Sequence, residues 1–493
     1  MVVLAQLENQ VARRKRVRSP AISIAVGIGV LTWAGVMVSP SPLVVLVSGA
    51  FALLAILCLW RSDEPPILLV PIFMQFVAIS TKPITTAITG VPLQDISDFD
   101  NNLEPAVLFA LAALAALVLA LRLTVYSGHP AASFSIQAWS YRRILVYSLL
   151  ALVAGHALDV LSNWFSEVRQ ILLALTGIKW AGLFVLTYAT LSMRRGWGWL
   201  AGVVLFELIL GMTGFFAQFQ EVIFVTLAAI ISARIKFRIS NILLVTIGTV
   251  LAGLLAIFWT SIKQDYRDFM SAGTSEQVVM QPLDERIKYL ANKVVEFDVE
   301  QFNRGFNLLL QRISYIDFLA ATMERVPAVI PYENGNRMGA VLVHVLTPRV
   351  LFPDKPDLPN DTAVTAYYAG VDTAGLGEGS TTSISIGYLG EMYVDFGIAG
   401  SLLAVFLVGL VYGRGYRAVR DYNRLPTFLN YGFCMILALP LTGFGTALIK
   451  LFGSTITLFA AVFLLQRIIL PSLLIRNVRH EFGKRNLRPW PKV

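Results

Sequence analysis

Cysteine, histidine and charge are what this chain has least of. Its 493 residues include two cysteines and four histidines, and only 14% are Asp, Glu, Lys or Arg. A soluble globular chain carries about 25% charged residues, so the shortage excludes an ordinary water-soluble domain. Cys58 and Cys434 both fall inside apolar runs, where thiols pack as small hydrophobes. Two such residues supply neither a disulfide framework nor a cysteine-based metal cluster. What fills the space is apolar: 56% of the residues are hydrophobic. In such a chain the net charge of +9 reports topology and not nucleic-acid binding, so no nucleic-acid partner is expected.

Apolar runs long enough to cross a hydrocarbon core as helices recur at roughly 21–38, 42–60, 66–80, 105–125, 144–161, 168–191, 197–216, 219–233, 241–262, 397–413, 427–446 and 448–470. The first follows the basic "RRKRVR" of 13–18 without a small-x-small cleavage site, and reads as an uncleaved anchor. Twelve spans put both termini on one side. If that side is cytoplasmic, the inner segments collect the basic residues at 13–18, 61, 122, 142–143, 194–195, 234–238, 414–424 and 467–492. The short outer segments hold only Lys82, Arg169 and Lys450, the asymmetry that the positive-inside rule requires. The expected organisation is a basic N-terminus at 1–20, nine spans over 21–262, a large outer loop at 263–396, three spans over 397–470 and a basic tail at 471–493.

The outer loop differs in kind. It holds 11 basic against 18 acidic residues. Leu283, Ile287, Leu290 and Val294 recur at helical spacing, as do Leu308, Leu309, Ile313 and Ile316. They predict two amphipathic helices, broken near Gly305 and ended by Pro327 and Pro331. Such helices can lie on a membrane surface or cap the bundle. From Arg304 to Lys355 basic groups prevail, whereas 356–396 has six carboxylates and no Lys or Arg. That split suits an enzyme gripping an anionic leaving group, though arginines pairing with carboxylates across the loop would look the same. In "HVLTPRVLFPDKPDLPND", residues 344–361, four prolines fix φ and hold the preceding residues out of helix. The result is a stiff strap carrying Arg349 and Lys355, a planar fork and a point charge suited to phosphate oxygens.

With these residues placed, the chain resembles a family. Pro348-Arg349-x-x-x-Pro353-x-Lys355-Pro356 comes first, then "GEGSTTSISIG". Gly387-x-x-Gly390-Glu391-x-Tyr393-x-x-Phe396-Gly397-x-x-Gly400 follows, opening a span. The set is similar to the bacterial oligosaccharide repeat-unit polymerases, the Wzy-type enzymes of O-antigen and exopolysaccharide assembly. The likeness covers roughly 304–413; Phe352 stands where a tryptophan is common, and His344 lies outside the reliable pattern. It implies an all-α polytopic membrane protein of about twelve transmembrane helices, GT-C-like, in the bacterial inner membrane with a large, mostly helical periplasmic loop. It also implies a glycosyltransferase without cofactor. The growing glycan leaves undecaprenyl diphosphate for a hydroxyl of the next lipid-linked repeat unit. Membrane lipid and a chain-length regulator protein are the further partners implied.

The chemistry needs cations on the departing diphosphate and an acceptor for the hydroxyl proton. Arg349 and Lys355 are the first candidates for the diphosphate, with Arg312 and Arg337 second. Glu391, His344 and Asp361 are the candidates for the base, and the sequence does not choose among them. Asp98 and Asp100 in "DISDFD" have a spacing that can hold a divalent cation, but a solvated acidic turn has it too, and no metal is expected. "GLGEG", residues 375–379, follows no strand and opens no helix, so it reads as a mobile loop and not a nucleotide site. Lys179 and Glu207 fall near the middle of neighbouring apolar runs, where charges pair or line a cavity; His156 and Asp159 sit near the outer end of the fifth run and could line a headgroup pocket. A glycan ligase, a glycolipid flippase or transporter, and a structural subunit of an export complex are the competing readings.

Overall fold

The computed structural model describes residues 23–61, 64–99, 101–126, 136, 139–165, 168–214, 218–233, 239–273, 279–348, 351–352, 354–372 and 383–471. Among them every regular element is helical. The first stretch of the bundle runs α1 (Ser23–Val38), α2 (Pro42–Leu59), α3 (Leu69–Thr89), α4 (Leu103–Val125) and α5 (Tyr141–Trp164). It continues through α6 (Arg169–Thr176), α7 (Ile178–Met193), α8 (Trp197–Thr213), α9 (Phe219–Ser232) and α10 (Ile239–Met270). After the polar segment come α16 (Gly387–Arg420), α17 (Thr427–Ala438) and α18 (Leu448–Leu464). Each of the twelve apolar runs is met by a helix.

Among the described residues, seven helices are long and apolar enough to cross a membrane; α1, α8, α9 and α17 are apolar but shorter. Where the apolar side chains point explains the arrangement. α4, apolar along nearly its whole length, is mostly buried and packed along α16, with only the stripe that carries Leu119 and Leu123 left exposed. On α1, α2, α5 and α10 apolar side chains face outward instead, Leu31 74%, Leu57 72% and Val153 67% exposed among them. Apolar surface of that extent marks a membrane or partner interface, and here it wraps a protein whose interior is already packed.

Two runs are interrupted. The run at 168–191 bends at Gly177 into α6 and α7. α16 begins ten residues before its expected span, and Gly397 inside it takes φ 63°, ψ −167°, which breaks the helix at the expected boundary. Any side chain there would strain the backbone and meet the Tyr332 ring 3.1 Å away. The first segment, Gly387 to Phe396, is thereby set off from the rest of α16, and it carries Glu391 and Asp395.

The polar segment is itself helical: α11 (Leu283–Val295), α12 (Val299–Ile313), α13 (Ile316–Arg325), α14 (Asn336–Leu346) and α15 (Asp361–Ala369). The expectation of two helices broken near Gly305 is corrected. The breaks fall at 296–298 and 314–315, with Asp298 capping α12 by accepting from Gln301 N at 2.8 Å. Gly305 lies inside α12, where a Cβ would come within 2.5 Å of the Ile257 carbonyl of α10. Its role is close helix approach, not termination. The basic N-terminus and tail, the loop "GLGEG", Asp100, Pro353 and Arg349 lie outside the described residues.

Candidate functional site

Two carboxylates one turn apart on α16 organise the surroundings of its first segment. Asp395 accepts from the backbone N–H of Met338 at 2.7 Å and of Arg337 at 3.1 Å. Both are amides of the first turn of α14, which helix geometry leaves without partners and which favour a negative charge. Glu391 does the same for α18: its Oε1 accepts from Leu448 N at 2.8 Å. The other oxygen, Oε2, accepts from Arg337 Nη2 at 2.6 Å, and the Glu391 side chain is almost wholly buried. α16 thus joins the N-termini of α14 and α18 through neighbouring acids.

Arg337 is held from a second side. Its guanidinium lies 5.2 Å from the centre of the Tyr368 ring of α15, a distance at which a cation is attracted by the ring face. Tyr368 in turn donates its hydroxyl proton to Glu333 at 2.8 Å. Burial works against the Arg337 charge, but the Glu391 carboxylate with its direct hydrogen bond, and then Tyr368, outweigh it and hold the guanidinium above its ordinary value. Burial, together with the Glu333 acceptor, pushes the Tyr368 phenol up to about 12. Arg337 Nε is buried and has no hydrogen-bond acceptor among the described residues. An orphaned buried donor of this kind calls for a partner, whether water, ion or ligand.

Beside it lies a cavity of about 170 Å³, lined by Arg337, Asp361 and Glu391 together with Leu358, Pro359, Val341 and Ile449. Asp361, the first residue of α15, forms an ion pair with Lys450 of α18. α15 itself is started by Asn360, whose side chain accepts from Ala363 N at 2.8 Å. Tyr315 stands close enough for the Asp361 charge to act on it, and its hydroxyl accepts from Ser385 N at 3.1 Å. The cavity lining therefore combines a partly buried cation, the carboxylates of Asp361 and Glu391, and apolar side chains.

The structure brings together three of the seven candidate residues, Arg337, Asp361 and Glu391. Of the other four, Arg349 lies outside the described residues, and His344, Lys355 and Arg312 lie elsewhere. His344 lies two turns along α14 from Arg337, outside the cavity lining. Lys355 donates to the His344 carbonyl at 2.9 Å; a cation on the last carbonyls of a helix is a favourable C-terminal contact. The strap thus closes one end of α14 while Asp395 closes the other. Arg312 sits on the exposed side of α12, near Tyr315 and not in the cavity. Asp98 is bound by Lys82 at 3.0 Å, and Lys82 also reaches Asp317 at 3.5 Å. Lys179 and Glu207 approach to 4.0 Å, but the closest partner of Glu207 is His156, at 2.6 Å. Among the described residues no three His, Cys, Asp or Glu gather as a metal site.

Sequence reasoning missed Asp395, Tyr368 and Lys450. Asp395 stood one helical turn from Glu391, a visible signal. Tyr368 and Lys450 had none, because only folding puts α15 and α18 beside α14. A family model described as a domain of unknown function, DUF8712, matches residues 105–414, and the chain belongs to that family. The match takes in Arg337, Asp361 and Glu391 and stops short of α18. No curated protein and no solved structure matches the chain.

Proposed function

We propose that the protein is a polymerase of lipid-linked oligosaccharide repeat units, crossing a bacterial inner membrane twelve times with residues 263–396 on the periplasmic side. The observation that carries this reading is the cavity. Residues separated by 24 to 54 positions, all within the segment that resembles the polymerases, line one hollow, and the cation in it keeps an unsatisfied donor. Arg337, oriented by Glu391 and Tyr368, would turn its guanidinium to a diphosphate oxygen. A preorganised cation of this kind acts where charge develops on the leaving group.

In the reaction the hydroxyl oxygen of the acceptor repeat unit bonds to the anomeric carbon of the growing glycan. The bond from that carbon to the diphosphate oxygen breaks, its electron pair leaving with the polyprenyl diphosphate, and the hydroxyl proton passes to a base. Asp361 is the best placed of the three candidates. Glu391 already accepts from Arg337 and Leu448, and His344 lies outside the cavity. The strap residue Arg349 remains a second cation for the diphosphate.

Reconstitution tests this directly. Purified protein in proteoliposomes, supplied with a polyprenyl-diphosphate-linked repeat unit, should yield a ladder of products differing by one repeat unit. Release of free polyprenyl diphosphate should match each unit added. A lipid-linked pool that stays at one unit while the repeat units change leaflet would replace the polymerase reading with a transporter. The polar contact of Lys179, Glu207 and His156 among apolar helices is the feature that would then need explaining.

A further inference from the structure

The end of α16 remote from the Arg337 cavity borders a second hollow, of about 330 Å³, lined by Leu123 and Thr124 of α4 and by Arg414, Arg417, Ala418 and Asp421. Glycines fix how the two helices meet beside it. A Cβ on Gly409 would come 2.8 Å from Ala120, and one on Gly413 would overlap the Thr124 hydroxyl, so α16 lies against α4 more closely than larger residues allow. The two arginines, three residues apart on one helix, are neighbours with different settings. Arg417 is already oriented: its Nε donates to Asp421 at 3.2 Å and its Nη1 to the Thr124 carbonyl at 3.4 Å. Asp421 also accepts from Arg420 at 2.7 Å, which turns the carboxylate toward the arginines. Arg414 is exposed, and its guanidinium reaches the Leu410 carbonyl of its own helix at 3.5 Å; among the described residues no carboxylate pairs with it. The lining thus sets two guanidinium groups against one carboxylate, an excess of one positive charge.

What leads to the hollow is apolar. Leu403, Leu407 and Val411 are exposed at steps of four along α16, and a further step of three reaches Arg414; such steps stay on one face of a helix. On α4, Leu119 and Leu123 are exposed in the same way, and Leu123 lines the hollow. Both helices are able to cross a membrane. From Gly397, where α16 breaks, the helix rises roughly 30 Å to Arg417 at about 1.5 Å per residue, the thickness of a typical hydrocarbon core. That sets the hollow at headgroup level, on the boundary opposite the polar segment, with an apolar lane running from it along the bilayer. Basic pockets between helices at that level suit anionic headgroups. We propose that the hollow binds one anionic phospholipid, its phosphodiester on Arg414 and Arg417 and an acyl chain along Leu123, Leu119, Val411 and Leu407. The planar fork of arginine takes phosphate oxygens in pairs, and the single excess charge is matched by phosphatidylglycerol and not by a zwitterionic lipid. The site is separate from the Arg337 cavity and does not depend on the polymerase reading; it stands or falls whether or not glycan is transferred.

Full-length protein, washed in a maltoside detergent until free of lipid phosphorus, is titrated with phosphatidylglycerol, with phosphatidylethanolamine of the same acyl chains, and with glycerol phosphate, while its melting midpoint is followed. Phosphatidylglycerol should raise the midpoint at concentrations where the other two do not. Arg414→Gln, at an exposed position, should weaken apparent affinity for it about tenfold or more, the factor expected for a lost hydrogen bond to a charged group. Without lipid the same variant should melt as wild type does. Arg195→Gln, an equal change of charge at an exposed position outside the hollow, should leave the response intact. Absence of any shift in wild type would overturn the site, as would an unchanged response in the Arg414 variant. Equal stabilisation by phosphatidylethanolamine would overturn the choice of an anionic lipid, and equal stabilisation by glycerol phosphate would replace the lipid with free phosphate. An Arg195 variant weakened as much as the Arg414 variant would show only bulk charge and remove the site.

Discussion

Removing the Glu391 carboxylate strips two partners at once, Arg337 at 2.6 Å and the Leu448 amide at 2.8 Å. Two unit charges about 4 Å apart attract by roughly 4 kcal/mol at an effective dielectric of about 20, and desolvation offsets part of that. Breaking a buried pair by deleting one side costs about 3–5 kcal/mol, since the other charge is left uncompensated. Loss of a helix cap adds about 1 kcal/mol. Glu391→Ala should therefore be among the most destabilising single changes in the protein. Glu391→Gln keeps an acceptor for Leu448 but leaves the guanidinium charge uncompensated, so it should be milder than Glu391→Ala by about the 1 kcal/mol of the retained cap. Arg337→Ala should resemble Glu391→Ala, and the double variant should fall short of the sum by about 1–3 kcal/mol. Unfolding in mixed micelles of increasing dodecyl sulfate content measures all four. Additivity within about 0.5 kcal/mol, or a glutamine variant as damaged as the alanine one, would refute the paired, capping role.

Gly305→Ala tests close approach by sign. If the glycine merely interrupted α12, alanine would stabilise by about 1 kcal/mol through helix propensity; with Ile257 O 2.5 Å from the new Cβ, overpacking should destabilise by about 1–3 kcal/mol. Asp361→Asn should change stability by less than about 1 kcal/mol, because its partner Lys450 is largely exposed. In the reconstituted reaction it should slow chain growth by about 10²–10⁴-fold if Asp361 takes the proton, and unchanged growth would remove it from that role. Tyr368 has its phenol pushed from 10.0 to about 12, so between those pH values the unfolded chain releases its proton before the folded one. That contribution makes stability fall as pH rises through the window. Tyr368→Phe should show a shallower decline over pH 10–12 than wild type, and parallel curves would contradict the assigned environment.

The helices of the bundle were legible because their cause is local. A run of apolar residues long enough to cross hydrocarbon must satisfy its own backbone, and helix does this within the segment. Each of the twelve apolar runs is met by a helix, seven of them among the described residues long and apolar enough to cross a membrane, and the Gly397 break fell at the expected start of the run at 397–413. The polar segment was read less well. Gly305 looks like a helix breaker in one dimension and acts as a contact point in three, since its neighbour Ile257 is 48 residues away. Arg420 illustrates the same gap at the other end of the bundle. Counted as one of the basic residues that orient the chain, it is buried against Glu64 at 2.9 Å.

The candidate site divides along the same line. The order of charges along the chain and the likeness to the polymerases marked Arg337, Asp361 and Glu391 together with Arg312, His344, Arg349 and Lys355, because side-chain type is a local property. Which of them meet was settled by the packing of α14, α15 and α18 around the first segment of α16. That packing turned Lys355 into a helix-end contact, left His344 outside the cavity, and committed Glu391 to Arg337 and the start of α18. Distances between residues far apart in the chain depend on helix crossings, and those arise from the sum of many weak contacts that no short stretch of sequence contains.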